Sequence, residues 1–247
     1  MSPVTKSAKR AASGMTVGEH LAEFRKRLLI AFAALLLAGV VGFIIYPQIL
    51  TFLQKPYCDL TKGKNCQLLA IGPLDGLTLR VKIAFFSGFI IALPVVSYEL
   101  WRFIAPGLRK REKKYIIPFV FASLAFFLAG CALAYYSFPH ALKFLQAIGG
   151  SQLAYHYTAT NYLNLIVLMM FVFGLTFEFP VILVSLELIG VVTPMALLKA
   201  WRWAIIAIVT AAAVLTPSGD PFSMLALAAP LTVFYFASIG VGKLAGK

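Results

Sequence analysis

Acidic residues are scarce in this sequence. Nine Asp and Glu stand against 22 Lys and Arg among 247 residues, charged residues make up 13% of the chain, and hydrophobic residues reach 61%. A soluble globular domain carries a charged fraction of about 25%, so the composition excludes that class and indicates an integral membrane protein. Histidine is rarer still: His20, His140 and His156 complete the set, and all lie at or beyond the ends of apolar runs. With no histidine inside a run, an intramembrane Ser-His hydrolase has no base, and no ligand partner stands at metal-binding spacing. P-loops and glycine-rich phosphate cradles are also missing. These absences argue against an enzyme and against a cofactor. The basic residues sit in short runs between apolar stretches, which makes them a topology signal and not a footprint for nucleic acid.

The uncharged runs count out a fold. A helix crosses a hydrocarbon core of roughly 30 Å in about 20 residues. Six spans are expected, at about residues 28–46, 75–102, 115–139, 161–186, 202–215 and 222–240, within a single domain over residues 16–240. The fold class is therefore all-α, with six transmembrane helices of which the last two are short. The fifth holds thirteen apolar residues before Thr216-Pro217, marginal for spanning. With the N-terminus inside, inner segments hold sixteen basic residues and outer segments six, so both termini are expected in the cytoplasm. Residues 1–15 read as a disordered leader, residues 241–247 as a cytoplasmic tail, and no cleavable signal peptide is expected.

The outer loops, near residues 47–74 and 140–160, are long enough to form caps of short helices. Cys58 and Cys66 lie in the first, where a bridge and two free thiols are equally compatible with the spacing. Cys131 reads as a small packing residue.

Four stretches hold the acids worth explaining. In GLTFEFP, Glu178 sits deep in the fourth span, two residues before Pro180, whose missing N–H permits a kink. A charge at that depth costs about 2.5–3.5 kcal/mol on insertion scales, so Glu178 is either a hydrogen-bonded neutral carboxyl or a contact point for a partner helix or substrate. In SYELWRFIAPGLRKREKKY, Pro106-Gly107 ends a helix and Glu112 stands among five basic residues, as a binding acid or as an incidental member of a positive-inside loop. GEHLAEFRKRLL makes an amphipathic helix with Glu19 and Glu23 at i and i+4, expected to lie along the membrane surface before the first span. These two acids either pair with Arg25, Lys26 or Arg27 or await an external cation. In TPSGDPFSMLALAAP, Asp220 is placed to cap the final helix.

Together these stretches resemble the TatC family, the polytopic receptor of the twin-arginine protein translocase. HLAEFRKRLL at 20–29, FIAPGLRKRE at 103–112, FEFP at 177–180 and TPSGDPFS at 216–223 match the family's landmarks in order. The resemblance implies binding of twin-arginine signal peptides of folded precursors, work with TatA- and TatB-type single-span partners, assembly as a homo-oligomer, and protonmotive-force-driven export across the bacterial cytoplasmic (inner) membrane. It implies a signal-peptide site of Glu23, Glu112, Arg25, Phe103 and Glu19, a partner contact at Glu178, and structural roles for Pro56, Pro180 and Asp220. The pairing is chemically apt, because carboxylates accept a guanidinium through forked, charge-assisted bonds that Lys cannot reproduce. Glu99 stands where the family usually has Gln, so it is set outside the binding group, and Phe236 replaces a Glu, which leaves Glu178 as the main buried acid. The rival is a small-solute or ion-coupled carrier, against which stands the lack of an evident inverted repeat.

Overall fold

In the computed structural model, residues 17–61, 66–104, 116–150 and 157–244 are described. Eight helices run through them: α1 (Val17–Ile44), α2 (Tyr46–Leu60), α3 (Asp75–Ile104), α4 (Ile116–Gly149), α5 (Ala159–Thr176), α6 (Phe179–Ile189), α7 (Pro194–Leu215) and α8 (Pro221–Leu244). Six stretches are long and apolar enough to cross a membrane, with α5 and α6 together forming the fourth. The expected six-helix, all-α architecture is what the chain adopts; the only β feature among the described residues is an isolated bridge, Leu69 to Thr158.

The helix ends differ from the expectations for physical reasons. Nothing breaks the chain between Val17 and Ile44, so the amphipathic segment is not a separate surface helix but the first turns of α1. The fifth span starts at Pro194, because Thr193 caps it through Ala196 N–H (3.2 Å) and proline suits a first helical position. Its 22 residues reach about 33 Å, enough to cross, although α7 and α8 remain the shortest spans. Beyond Pro139, α4 continues to Gly149, so the second outer segment begins as an extension of a span and not as an independent cap. At the other end, α8 takes in the first residues of the expected tail.

Packing follows from small residues. α1 and α3 run antiparallel, with Gly39 against Gly88 and Gly42 against Ala84 and Ser87. Close backbone approach of this kind replaces the hydrophobic drive that lipid removes. α4 crosses α5 where Gly130 meets the backbone of Phe173 and Gly174. Phe127, Ala134, Phe138, Tyr162, Ile166 and Phe173 fill the core of that crossing and are fully buried or nearly so. α8 packs on α4 and α6, and α7 leans chiefly on α8. Outward, large apolar side chains such as Leu37, Ile44, Trp203 and Val214 stand exposed, as a lipid-facing surface requires.

Proline at position 56 has a local consequence. It removes the N–H that would bond the Phe52 carbonyl, and the Tyr135 hydroxyl from α4 donates to that carbonyl at 2.9 Å. The Tyr162 hydroxyl bonds the Leu53 carbonyl at 2.9 Å in the same way, fastening α2 across α4 and α5. Cys58 and Cys66 form a disulfide with Cα atoms 4.8 Å apart, which ties the end of α2 to the strand-like segment leading to Leu69. Tyr135→Phe keeps the ring stacked on Phe52 at 4.4 Å but orphans the carbonyl, and is expected to cost about 1 kcal/mol, read as a lower melting midpoint in detergent.

Candidate functional site

The start of α1 and the end of α3 meet at one end of the bundle, because the two helices are antiparallel. There Arg27 lies between two carboxylates. Its Nε donates to Glu23 Oε1 at 3.1 Å, its Nη2 bonds the same oxygen, and its Nη1 donates to Glu99 Oε2 at 2.9 Å. Glu23 and Arg27 share a helical face at i and i+4, and Glu99 reaches them from the penultimate turn of α3. Glu99 is buried, while Glu23 and Arg27 are partly so. The second oxygen of Glu23, Oε2, is buried without a hydrogen-bond partner among the described residues.

Beside this triad is a cavity of about 360 Å³, lined by Glu23, Arg27 and Glu99 with Lys26 and Arg102 at its edge. Aromatic rings close the other flank: His20 stacks on Phe103 with centroids 4.5 Å apart, and Phe24 packs on the same ring at 5.4 Å. Phe103 therefore fixes the tip of α1 against α3. Arg25 points elsewhere, exposed along a groove with Lys26 and Leu29. Glu19 is also exposed. Glu112 lies outside the described residues. The structure adds a grouping that the sequence did not single out: Glu99, set outside the binding group, ion-pairs with Arg27, one of the three partners weighed for Glu19 and Glu23, which bridges it to Glu23 in an arginine clamp. An antiparallel α1–α3 pair is the signal that would have brought them together, since it places the charged first turns of α1 beside the last turns of α3.

Inside the bilayer the fourth span breaks as Pro180 requires. α5 ends at Thr176, Phe177 and Glu178 form a turn, and α6 resumes at Phe179 with Pro180 in its first turn. Glu178 stands at the N-cap of α6 without capping it; its Oε1 is buried and lacks a partner among the described residues, and Ser123 of α4 faces its carboxyl. Ser123 in turn accepts from the Trp101 indole N–H at 3.4 Å. Trp101 is two residues from Glu99, so adjacent faces of the end of α3 serve the arginine clamp and the intramembrane acid. Flanking Glu178, Thr176 and Phe179 line an apolar groove of about 500 Å³ that runs between the fourth span and Ala204, Ala207 and Ala211 of α7.

The expectation that Glu178 is the main buried acid is overturned: Glu178 is half-buried, and another acid of the same span is buried completely. Glu187 is 0% exposed, and neither of its oxygens has a partner among the described residues. It sits in the last turns of α6 against Gly242 of α8 and Pro194 of α7. The sequence placed it at a span end and so gave it no weight. Asp220 behaves as expected: it accepts from Ser223 N–H at 2.7 Å and bonds the Ser218 hydroxyl, capping α8, while Gly219 supplies the positive φ of 59° that the turn needs.

These features define a class: a multi-pass helical membrane protein with an ion-paired recess at one end and carboxyls within its spans. Comparison with known proteins narrows it. The family model described as Sec-independent protein translocase protein (TatC) matches residues 19–230. The chain is 39% identical over 243 residues to Sec-independent protein translocase protein TatC of Frankia casuarinae, spanning 94% of this chain and 66% of that one. It is 34% identical over 248 residues to the TatC protein of Xylanimonas cellulosilytica, spanning 97% and 89% respectively. A crystal structure of a twin-arginine translocase receptor, TatC, in DDM matches with a TM-score of 0.76 at 32% identity, over 91% of this chain and 99% of that one. The chain belongs to the TatC family of Sec-independent protein translocase proteins, and is a multi-pass protein of the bacterial inner membrane.

Proposed function

We propose that this chain is the receptor and core scaffold of a twin-arginine translocase. It binds the paired-arginine signal peptide of a folded precursor at its cytoplasmic face and recruits TatA- and TatB-type single-span partners, with several copies assembling for export driven by the protonmotive force. The observation that carries the reading is the held guanidinium: Glu23 and Glu99 already accept an arginine from two helices at once. Glu19, Arg25 and Phe103, with Glu112 in the sequence that follows α3, complete the peptide site. The surrounding Lys26 and Arg102 repel stray cations, so only a well-placed guanidinium gains by entering. Both termini are cytoplasmic in this reading, supported by the excess of basic residues in the segments that would lie inside.

The groove beside Glu178 suits the second task. Its alanines admit a close-packed helix, and Glu178, next to the lining residues Thr176 and Phe179, keeps one carboxyl oxygen, Oε1, without a partner among the described residues, a polar contact that lipid cannot match. A single-span partner docked there would satisfy that oxygen.

The test is binding of a labelled twin-arginine signal peptide to the full chain in lipid nanodiscs. Replacing both peptide arginines by lysine is expected to weaken binding tenfold or more, about the loss of one or two charge-assisted hydrogen bonds, and Glu23→Gln to weaken it similarly. Equal binding of the arginine and lysine peptides by the unaltered protein would sink the reading.

A further inference from the structure

The arginine clamp is not vacant. Arg27 spends three of its donors on Glu23 and Glu99, which are the acceptors a guest guanidinium would seek. We propose that Arg27 is a resident competitor, an arginine of this chain that holds the Glu23–Glu99 site and yields it by exchange to an arginine of the incoming peptide. The inference rests on the signal-peptide reading and assigns to Arg27 the setting of its affinity threshold.

Exchange sets a threshold that a single arginine barely clears. Swapping Arg27 for a single guest leaves the number of forked bonds unchanged, and Arg27 is tethered one helical turn from Glu23, at an effective concentration on the order of millimolar or more. A lone guest therefore gains little. A second guest arginine adds bonds that Arg27 does not make, and Glu23 Oε2, buried and unpartnered, is one acceptor still unspent. The adjoining 360 Å³ cavity gives the guest a place to enter before Arg27 leaves. Lysine fails at the first step, because a point charge cannot replace a fork that bridges two carboxylates.

The experiment compares three peptides, carrying two, one or no arginines at the paired positions, on the full chain and on Arg27→Gln in nanodiscs. The unaltered protein should separate the two-arginine from the one-arginine peptide strongly. Arg27→Gln should tighten the one- and two-arginine peptides alike, by about tenfold, because both are relieved of displacing Arg27, leaving the lysine peptide weak. Adding Glu99→Gln to Arg27→Gln should remove the gain. A purely structural Arg27 would weaken all peptides together, and unchanged or weakened binding of the arginine peptides by Arg27→Gln overturns the proposal. Should Arg27→Gln fail to fold, Arg27→Lys leaves a poorer competitor between the acids and decides by the same tightening, which should be a smaller step. Failure of the receptor reading is distinguishable: the unaltered protein would then not prefer arginine peptides at all.

Discussion

Gly130→Ala is expected to yield little folded protein. A Cβ on Gly130 would lie 2.5 Å from the Phe173 carbonyl oxygen, 2.8 Å from its carbon and 2.9 Å from Gly174 Cα. All three are backbone atoms of a facing helix, so no rotamer change relieves the contact and α4 and α5 must separate. Separation loosens the whole fully buried layer of Phe127, Phe138, Tyr162, Ile166 and Phe173. Overpacking in a closed core costs about 1–3 kcal/mol, and a backbone clash belongs at or above the top of that range. Gly174→Ala should be milder, because its Cβ would meet the Phe127 ring at 2.7 Å and a ring can turn. Gly240→Ala, with no heavy atom within 4 Å of the added Cβ, should be neutral or slightly stabilising through helix propensity. Thermal unfolding in detergent, with the folded fraction measured by size exclusion, ranks the three; a Gly130→Ala midpoint equal to that of Gly240→Ala would refute the packing account.

The same crossings show how far the sequence could be read. Hydropathy located six spans because lipid imposes one physical rule on every segment, namely enough apolar length with its hydrogen bonds closed internally. Proline and Asp220 read correctly as well, since a missing N–H and a cap act within one turn. What the sequence concealed was lateral. Glu99 and Arg27 are 72 positions apart, and only the antiparallel register of α1 on α3, set by Gly39, Gly42 and Gly88, makes them a pair. A family pattern with Gln at position 99 also masked an acid that this chain pairs with Arg27. Glu187 was hidden for the converse reason: a carboxyl near a span end ordinarily reaches water, and here α8 closes over it through Gly242. The early start of α7 was in fact legible, because Thr193-Pro194 is a cap followed by a first-turn proline, but Lys199 and Arg202 made the apolar count begin too late.

Glu187→Leu is expected to stabilise the protein. The carboxyl has no accessible surface and no hydrogen-bond partner among the described residues, and an unsatisfied buried polar group costs about 1–3 kcal/mol. Leucine fills a similar volume without that cost, so the melting midpoint should rise by about 2–4 °C for each kcal/mol recovered in a chain of this size. The space itself is provided by glycine. A Cβ at Gly242 would come within 2.7 Å of Glu187 Oε2 and 2.8 Å of Pro194 Cγ, so Gly242→Ala should destabilise the unaltered chain by driving the wedge between α6, α7 and α8 apart. An unchanged or lowered midpoint for Glu187→Leu would show that the carboxyl is satisfied after all. A raised midpoint with reduced export would place Glu187 among groups retained for activity at the expense of stability. A raised midpoint with full export would make it a tolerated burden of this chain. In either of the last two cases the acid whose burial costs stability is not Glu178, which is half-buried and faces Ser123, but the one that three helix segments have closed in.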